Sequence, residues 1–243
     1  MAGVARIILP GNADCTEFCP VPGYQSLLAA ATYTLQDGPE PERLGSLHIF
    51  QVADEAFRNP LAECRMFEVC QISPSGIFDI KWRADKAGSR PLLGRASADG
   101  SLGIYDLELD TETSFGHASS IERQPSHHNE SENGLTISPE IHSNDFRSDS
   151  SGAQQSSAVA GLNETTSVNC GPAMCLSLDW DTFSSSDSCQ IVVSQSDGSL
   201  CVTRLTGTAL VLEKEWDAHS YEAWTTAFDR WHPQVGFTKY YLS

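Results

Sequence analysis

The chain has 243 residues, with 15 Lys+Arg against 32 Asp+Glu and a formal net charge of −17. That length bounds it to one domain or two small ones, and a 40% hydrophobic content allows a core. The acidity argues against nonspecific binding to nucleic acid or to an anionic membrane surface, both of which need clustered Lys/Arg, and no apolar run reaches the ~18 residues of a membrane span.

At the N-terminus, Ile7-Ile8-Leu9 before Pro10 is too short for the apolar region of a signal peptide. The eight cysteines show no Cys-x-x-Cys spacing and no Cys/His cluster of zinc type, so reduced, buried thiols and neither a metal nor a cofactor are expected. This fits a cytoplasmic protein, or one also found in the nucleus.

Strands are predicted at 14–20, 26–33 and 45–52, with a longer Pro-containing loop over 36–43. Phe78-Asp79-Ile80-Lys81-Trp82 alternates apolar and polar residues, as a half-buried strand does. An apolar run at 91–94 follows, then the turn Asp99-Gly100 and a strand over 102–107. Residues 113–171 break the pattern: they are rich in serine, lean acidic, and lack Trp and Tyr. Such a stretch buries too little apolar area to offset its ordering entropy, so it reads as a disordered insert.

After the insert the pattern returns. Leu176-Ser177-Leu178-Asp179-Trp180 matches 78–82, the run 190–193 matches 91–94, and Asp197-Gly198-Ser199-Leu200 matches Asp99-Gly100-Ser101-Leu102. Trp precedes Asp by 17 residues in both copies. The copies lie 98 residues apart; without the 59 of the insert the spacing is 39, near the ~40–45-residue period of a propeller blade. Asp-Gly suits the tight hairpin turn such a unit needs, because both residues tolerate positive φ. A weaker copy lies upstream, and Trp216-Asp217-Ala218-His219 before 222–228 reads as the lead-in to a fourth blade. Short regular strands also fit a β-sandwich, but a sandwich has no reason to repeat one four-strand unit.

These repeats resemble those of WD-repeat proteins, with Tyr105-Asp106 and Thr203-Arg204 where the closing Trp-Asp pairs stand. The segment Trp216-Asp217-Ala218-His219-Ser220-Tyr221-Glu222-Ala223-Trp224, followed by Trp231-His232-Pro233, is more distinctive. With Cys175 to Trp180, it resembles the diphthine methyltransferase family of WD-repeat proteins. The resemblance implies an all-β, incomplete propeller of about three to four blades. It divides the chain into first blades over 1–112, the insert over 113–171, further blades over 172–235 and a divergent tail over 236–243.

It also implies an activity: hydrolysis of the methyl ester of diphthine on translation elongation factor 2, releasing methanol, during diphthamide biosynthesis. Despite the family name, no S-adenosylmethionine is implied, and no glycine-rich strand-to-helix loop of the methyl-donor type is found. The residues alone do not point to an esterase, since no Gly-x-Ser-x-Gly elbow is present. The candidates for catalysis are His219, Glu222 and Asp217, a base near neutral pH with carboxylates to orient it. His219 also reads as a structural residue bonded within its own blade, Glu222 as a rim residue, and Trp82, Trp180 and Trp224 as packing between blades. A noncatalytic scaffold is the alternative function.

A propeller of about seven blades needs on the order of 280 residues. Outside the insert this chain has room for four at most. It therefore reads as C-terminally truncated, with unclosed sheet faces that make 1–243 alone unstable or inactive.

Overall fold

The computed structural model describes residues 5–53, 65–84, 90–109, 159–181, 188–229 and 236–239. The chain divides into two units, Met1–Asp110 with Ala158–Ser243, and Thr111–Ser157. The second lies outside the described residues, and with it most of the predicted insert.

The first unit is built of antiparallel meanders. β1 (Asn12–Phe18), β2 (Leu27–Gln36), β4 (Leu47–Val52) and β5 (Met66–Ile72) form the first sheet in that order, and β3 (Glu42–Leu44) adds to β2. β6 (Ile77–Trp82), β7 (Leu92–Ser97), β8 (Ser101–Leu109) and β9 (Val159–Asn169) form the second. β10 (Cys175–Trp180), β11 (Ser188–Gln195), β12 (Ser199–Thr206) and β13 (Ala209–Asp217) form the third. β14 (Thr225–Phe228) and β15 (Gly236–Lys239) pair as a fourth, two-stranded sheet. The first strands β1, β6, β10 and β14 are neighbours in turn, which is the radial arrangement of a β-propeller. The architecture is all-β, a partial propeller of WD type.

The core lies in the seams between sheets. Leu47 and Ile49 of the first sheet pack with Ile80, Trp82, Leu93, Tyr105 and Leu107 of the second. Leu102 and Ile104 turn the other way and pack with Leu178, Trp180, Ile191 and Val193 of the third. β8 therefore buries both of its faces, which explains why 102–107 shows apolar residues at both parities.

Each inner strand has one edge without a strand partner, and its N–H groups need acceptors. The preceding sheet supplies them. Trp82 N–H donates to Glu17 Oε2 at 2.6 Å, Leu178 N–H to Asp79 Oδ2 at 3.1 Å, and Phe228 N–H to Asp179 Oδ2 at 2.8 Å. The two Asp-Gly turns are equivalent in detail. Gly100 and Gly198 have φ of 81° and 89°. Asp99 Oδ1 accepts from the amide and hydroxyl of Ser101, and Asp197 Oδ1 from those of Ser199.

Three sequence expectations differ from the structure. Val159–Asn169, assigned to the insert, is β9, the outer strand of the second sheet. Trp216 and Asp217, read as the lead-in to a fourth blade, are the end of β13 and pair with Leu200 and Ser199. Gly236–Lys239, read as a divergent tail, is the strand that pairs with β14. The first two have one cause: the fourth strand of each sheet lies on the outside. β13 is exposed at most positions, so it carries no alternating apolar signal.

Candidate functional site

The inner strands converge on a cleft of about 520 Å³. Asp14 and Cys15 come from β1, Phe78, Asp79 and Lys81 from β6, Ser177 and Asp179 from β10, and Trp224 to Phe228 from the start of the fourth sheet. Period-2 alternation places Asp79 with Lys81, and Ser177 with Asp179, on the cleft side of their strands. Asp79 and Lys81 point to the axis while Ile80 and Trp82 point into the seam.

The carboxylates are crowded. Burial, and then the neighbouring Asp79, raise the Asp14 carboxyl above its ordinary value. Burial raises that of Asp79 too, outweighing the hydrogen bonds from Leu178 N–H and Ser177 Oγ and the charge of Lys81. Glu17 is raised by burial as well, against its bond from Trp82 N–H and the charge of Lys81. The Cys15 thiol is pushed far up, first by burial and then by Asp79 and Asp14. Cys15 is thus a protonated thiol and a poor nucleophile. Trp224, 49% exposed, forms an aromatic wall. Such a cleft sets carboxyls raised above their ordinary values beside the Lys81 cation, groups suited to general acid–base work on a polar substrate.

Among the described residues, no three His, Cys, Asp or Glu side chains are placed to hold a metal ion.

The candidates named from sequence lie to one side of this cleft. Asp217 is exposed at the end of β13. His219 is half-buried, and its main-chain N–H donates to Gly198 O at 3.0 Å. Glu222 is exposed. All three sit on the segment that runs past the Asp197-Gly198 turn, and none of them lines the cleft. Trp82 and Trp180 are buried in the seams, as expected, whereas Trp224 is not.

A second polar cluster lies in the first sheet. Thr32 Oγ1 and Ser46 Oγ share a hydrogen bond of 2.8 Å, Ser46 Oγ is 2.7 Å from His48 Nε2, and His48 Nδ1 is 2.5 Å from Glu68 Oε1. The order is that of a nucleophile, base and carboxylate, but the burial is reversed. Ser46 is 5% and His48 2% exposed, whereas the Glu68 side chain is 42% exposed. A nucleophile needs the open end of such a relay. This one has its serine sealed against Thr32, and it ties β2, β4 and β5 together.

No protein-family model matches the chain. The diphthine methyltransferase of Mus musculus is 32% identical, over 98% of this chain and 43% of its own length. That of Homo sapiens is 27% identical, over 93% of this chain and 44% of its own. The chain is similar to the diphthine methyltransferases over nearly its whole length. A diphthine methyltransferase homolog of Dictyostelium discoideum is 25% identical over 93% of this chain and 51% of its own length. The chain thus spans about half the length of these relatives, or less. Among solved structures, Sqt1 of Chaetomium thermophilum matches with a TM-score of 0.51 at 11% identity, over 90% of this chain and 39% of its own, a likeness of fold alone.

Sequence reasoning missed the cleft residues Asp14, Asp79, Lys81 and Asp179. A signal was present. Both Trp motifs carry an Asp on the face opposite the apolar residues, Asp79 in one and Asp179 in the other. The Ser46–His48–Glu68 relay had none, because it depends on the register of β4 against the unrecognised strand β5.

Proposed function

We propose that this chain forms blades of a protein that hydrolyses the methyl ester of diphthine on translation elongation factor 2. Water is added across the ester, and methanol leaves with the freed carboxylic acid. The observation that supports this reading is the likeness, over nearly the whole chain, to proteins named diphthine methyltransferase. On this reading the chain is part of the diphthamide biosynthesis machinery and acts in the cytoplasm, where the elongation factor works. We assign the base to His219, oriented by Asp217 or Glu222, on the segment that leads into the cleft. Asp14, Asp79 and Lys81 line that cleft, and Trp224, which follows the His219 segment in the chain, lines it too.

The test is methanol release from elongation factor 2 bearing methylated diphthine, with the full-length relative and with this chain. His219→Ala should lower the rate by at least about a hundredfold, the lower end of the range for loss of a general base. Release that depends on added S-adenosylmethionine, or none at all from the full-length relative, would overturn the hydrolase reading.

One observation favours the noncatalytic alternative. Trp216, Tyr221 and Trp224 are all large and exposed within one short segment, as at a docking surface. A Tyr221→Ala variant that loses binding to the elongation factor but keeps turnover on a small methyl ester would separate docking from chemistry.

A further inference from the structure

Two connectors between sheets are built on one plan. Residues 170–174, between β9 and β10, wrap the Asp99-Gly100 turn. Cys170 N–H donates to Gly100 O at 2.9 Å, and the main-chain oxygens of Gly171 and Ala173 lie 2.3 and 2.8 Å from where a Cβ on Gly100 would stand. Residues 218–224, between β13 and β14, wrap Asp197-Gly198 in the same way. Ala218 N–H donates to Gly198 O at 3.2 Å, and the oxygens of His219 and Tyr221 lie 2.3 and 2.6 Å from the corresponding point on Gly198. Tyr221 therefore stands where the earlier connector has Ala173. The later connector is also longer, seven residues against five.

The fold does not call for these additions, because a methyl side chain serves at the same place one sheet earlier. Tyr221 is nonetheless 51% and Trp224 49% exposed. Ala223 between them is fully buried, and its N–H donates to Gln195 O at 3.2 Å. Two aromatic rings are thus held in solvent on a pinned backbone. Little further ordering is needed to bind through them, and Tyr and Trp are residues on which binding energy concentrates.

The charge around them selects the partner. Asp217 and Glu222 are exposed within the same stretch. In the cleft that Trp224 lines, Asp14, Asp79 and Asp179 face Lys81, and the whole chain carries −17. Such a surface repels a phosphate backbone and attracts Lys and Arg, whose charged groups also stack on aromatic faces. Lys214 already does this on the neighbouring Trp216, with its ammonium 5.0 Å from the ring centroid.

We propose that Tyr221 and Trp224, with Asp217, Glu222 and the acidic cleft beside them, dock a Lys/Arg-rich segment of a partner protein. This rests on the docking reading of the segment and not on the hydrolase reading. The partner's cations stack on the two rings and pair with the carboxylates.

The test is fluorescence anisotropy of the purified 243-residue chain with a labelled peptide of Lys and Arg spaced by Gly-Ser, and with the same peptide carrying Glu at each basic position. The basic peptide is expected to bind, more weakly as salt rises, and the Glu peptide not to bind. Tyr221→Ala and Trp224→Ala should each weaken binding by at least about tenfold. Glu222→Lys should weaken it comparably. Glu108→Lys makes the same change in net charge at the end of β8 away from the Asp99-Gly100 turn, and should stay within about twofold, since distant charges are screened. Tyr221 and Trp224 are exposed, so both alanine variants should melt as the wild type does; if Trp224→Ala does not, Tyr221→Ala decides. Equal binding of the two peptides, equal weakening by Glu108→Lys and Glu222→Lys, an RNA oligonucleotide that displaces the basic peptide, or wild-type binding by Tyr221→Ala overturns the proposal. A wild type that ignores the basic peptide overturns it too. Should Tyr221→Ala then still lose binding to elongation factor 2, the docking reading survives without a basic partner; should it keep that binding, both fall.

Discussion

The indole N–H of Trp180 donates to the main-chain carbonyl of Lys81 at 2.9 Å. One sheet earlier, Trp82 makes the same bond to Glu17 at 3.1 Å. Each Trp thus faces back across a seam and ties its inner strand to the one before. Trp180→Phe keeps most of the buried area but removes the donor, leaving a carbonyl short of a partner. We expect a loss of about 1–2 kcal/mol. Trp180→Ala adds a cavity and should lose about 3–5 kcal/mol. Urea denaturation read by fluorescence of the remaining tryptophans checks both, and equal losses for the two variants would contradict the account.

The Asp-Gly turns make a sharper prediction, because a control is built in. A Cβ on Gly198 would lie 2.3 Å from His219 O and 2.6 Å from Tyr221 O, both main-chain atoms, and φ is 89°. Gly207 also has positive φ, 60°, but nothing lies within 4 Å of its would-be Cβ. Gly207→Ala carries conformational strain alone, about 1 kcal/mol. Gly198→Ala adds a clash that only movement of the 217–223 segment relieves, and we expect at least about 3 kcal/mol. Thermal melts of the two variants side by side read the difference. Similar melting temperatures would mean that the segment yields freely.

The propeller was legible from the Trp and Asp-Gly repeats because both are fixed by local physics. Trp82 and Trp180 terminate alternating inner strands, and Asp99-Gly100 and Asp197-Gly198 close two hairpins that need positive φ. The outer strands were not legible. β5 and β13 meet solvent along most of their length, so their sequences are free of the alternation that marks β6 or β10. The candidate site was legible only in part. Its Asp residues are spaced by strand periodicity within one sheet, but their meeting depends on four sheets turning about one axis, which no local pattern encodes. The polar relay of His48 arises from pairing to a strand the sequence did not announce.

That relay gives a third prediction. His48 joins Ser46, just before its own strand, to Glu68 on the next, and its ring stacks on Phe50 with centroids 5.9 Å apart. His48→Ala leaves the buried Ser46 hydroxyl with Thr32 alone and opens a hole in the first sheet. The expected cost is about 2–3 kcal/mol, an unpaired buried polar group plus lost packing. Because Ser46 is sealed from solvent, methanol release per folded molecule should not change. A variant that melts normally but loses turnover would instead make the relay part of the chemistry.

The pins between inner strands link stability to pH with an unusual sign. Asp79 accepts from Leu178 N–H and Ser177 Oγ, yet burial holds its carboxyl above the ordinary 3.8 in the folded chain. A carboxyl raised on folding binds more protons in the native state than in the unfolded one. Between the ordinary value and the raised one, stability from Asp79 therefore grows as pH falls and is lost as pH rises through the folded value. Asp14 and Glu17 are raised too and act in the same direction. Glu213, lowered by its bonds from Arg204 and Gln190, acts in the opposite sense and loses its contribution as pH falls through its own depressed range. Asp79→Asn keeps an oxygen for Leu178 N–H but cannot ionise. It should match or exceed wild-type stability at pH 7 and flatten the rise toward lower pH. Asp79→Ala orphans the buried amide and should lose about 1–3 kcal/mol at every pH. Denaturation midpoints of the three proteins from pH 4.5 to 8 decide it, and a wild type that weakens steadily below neutrality, in parallel with Asp79→Asn, would show that this carboxylate is not the strained group the geometry makes it.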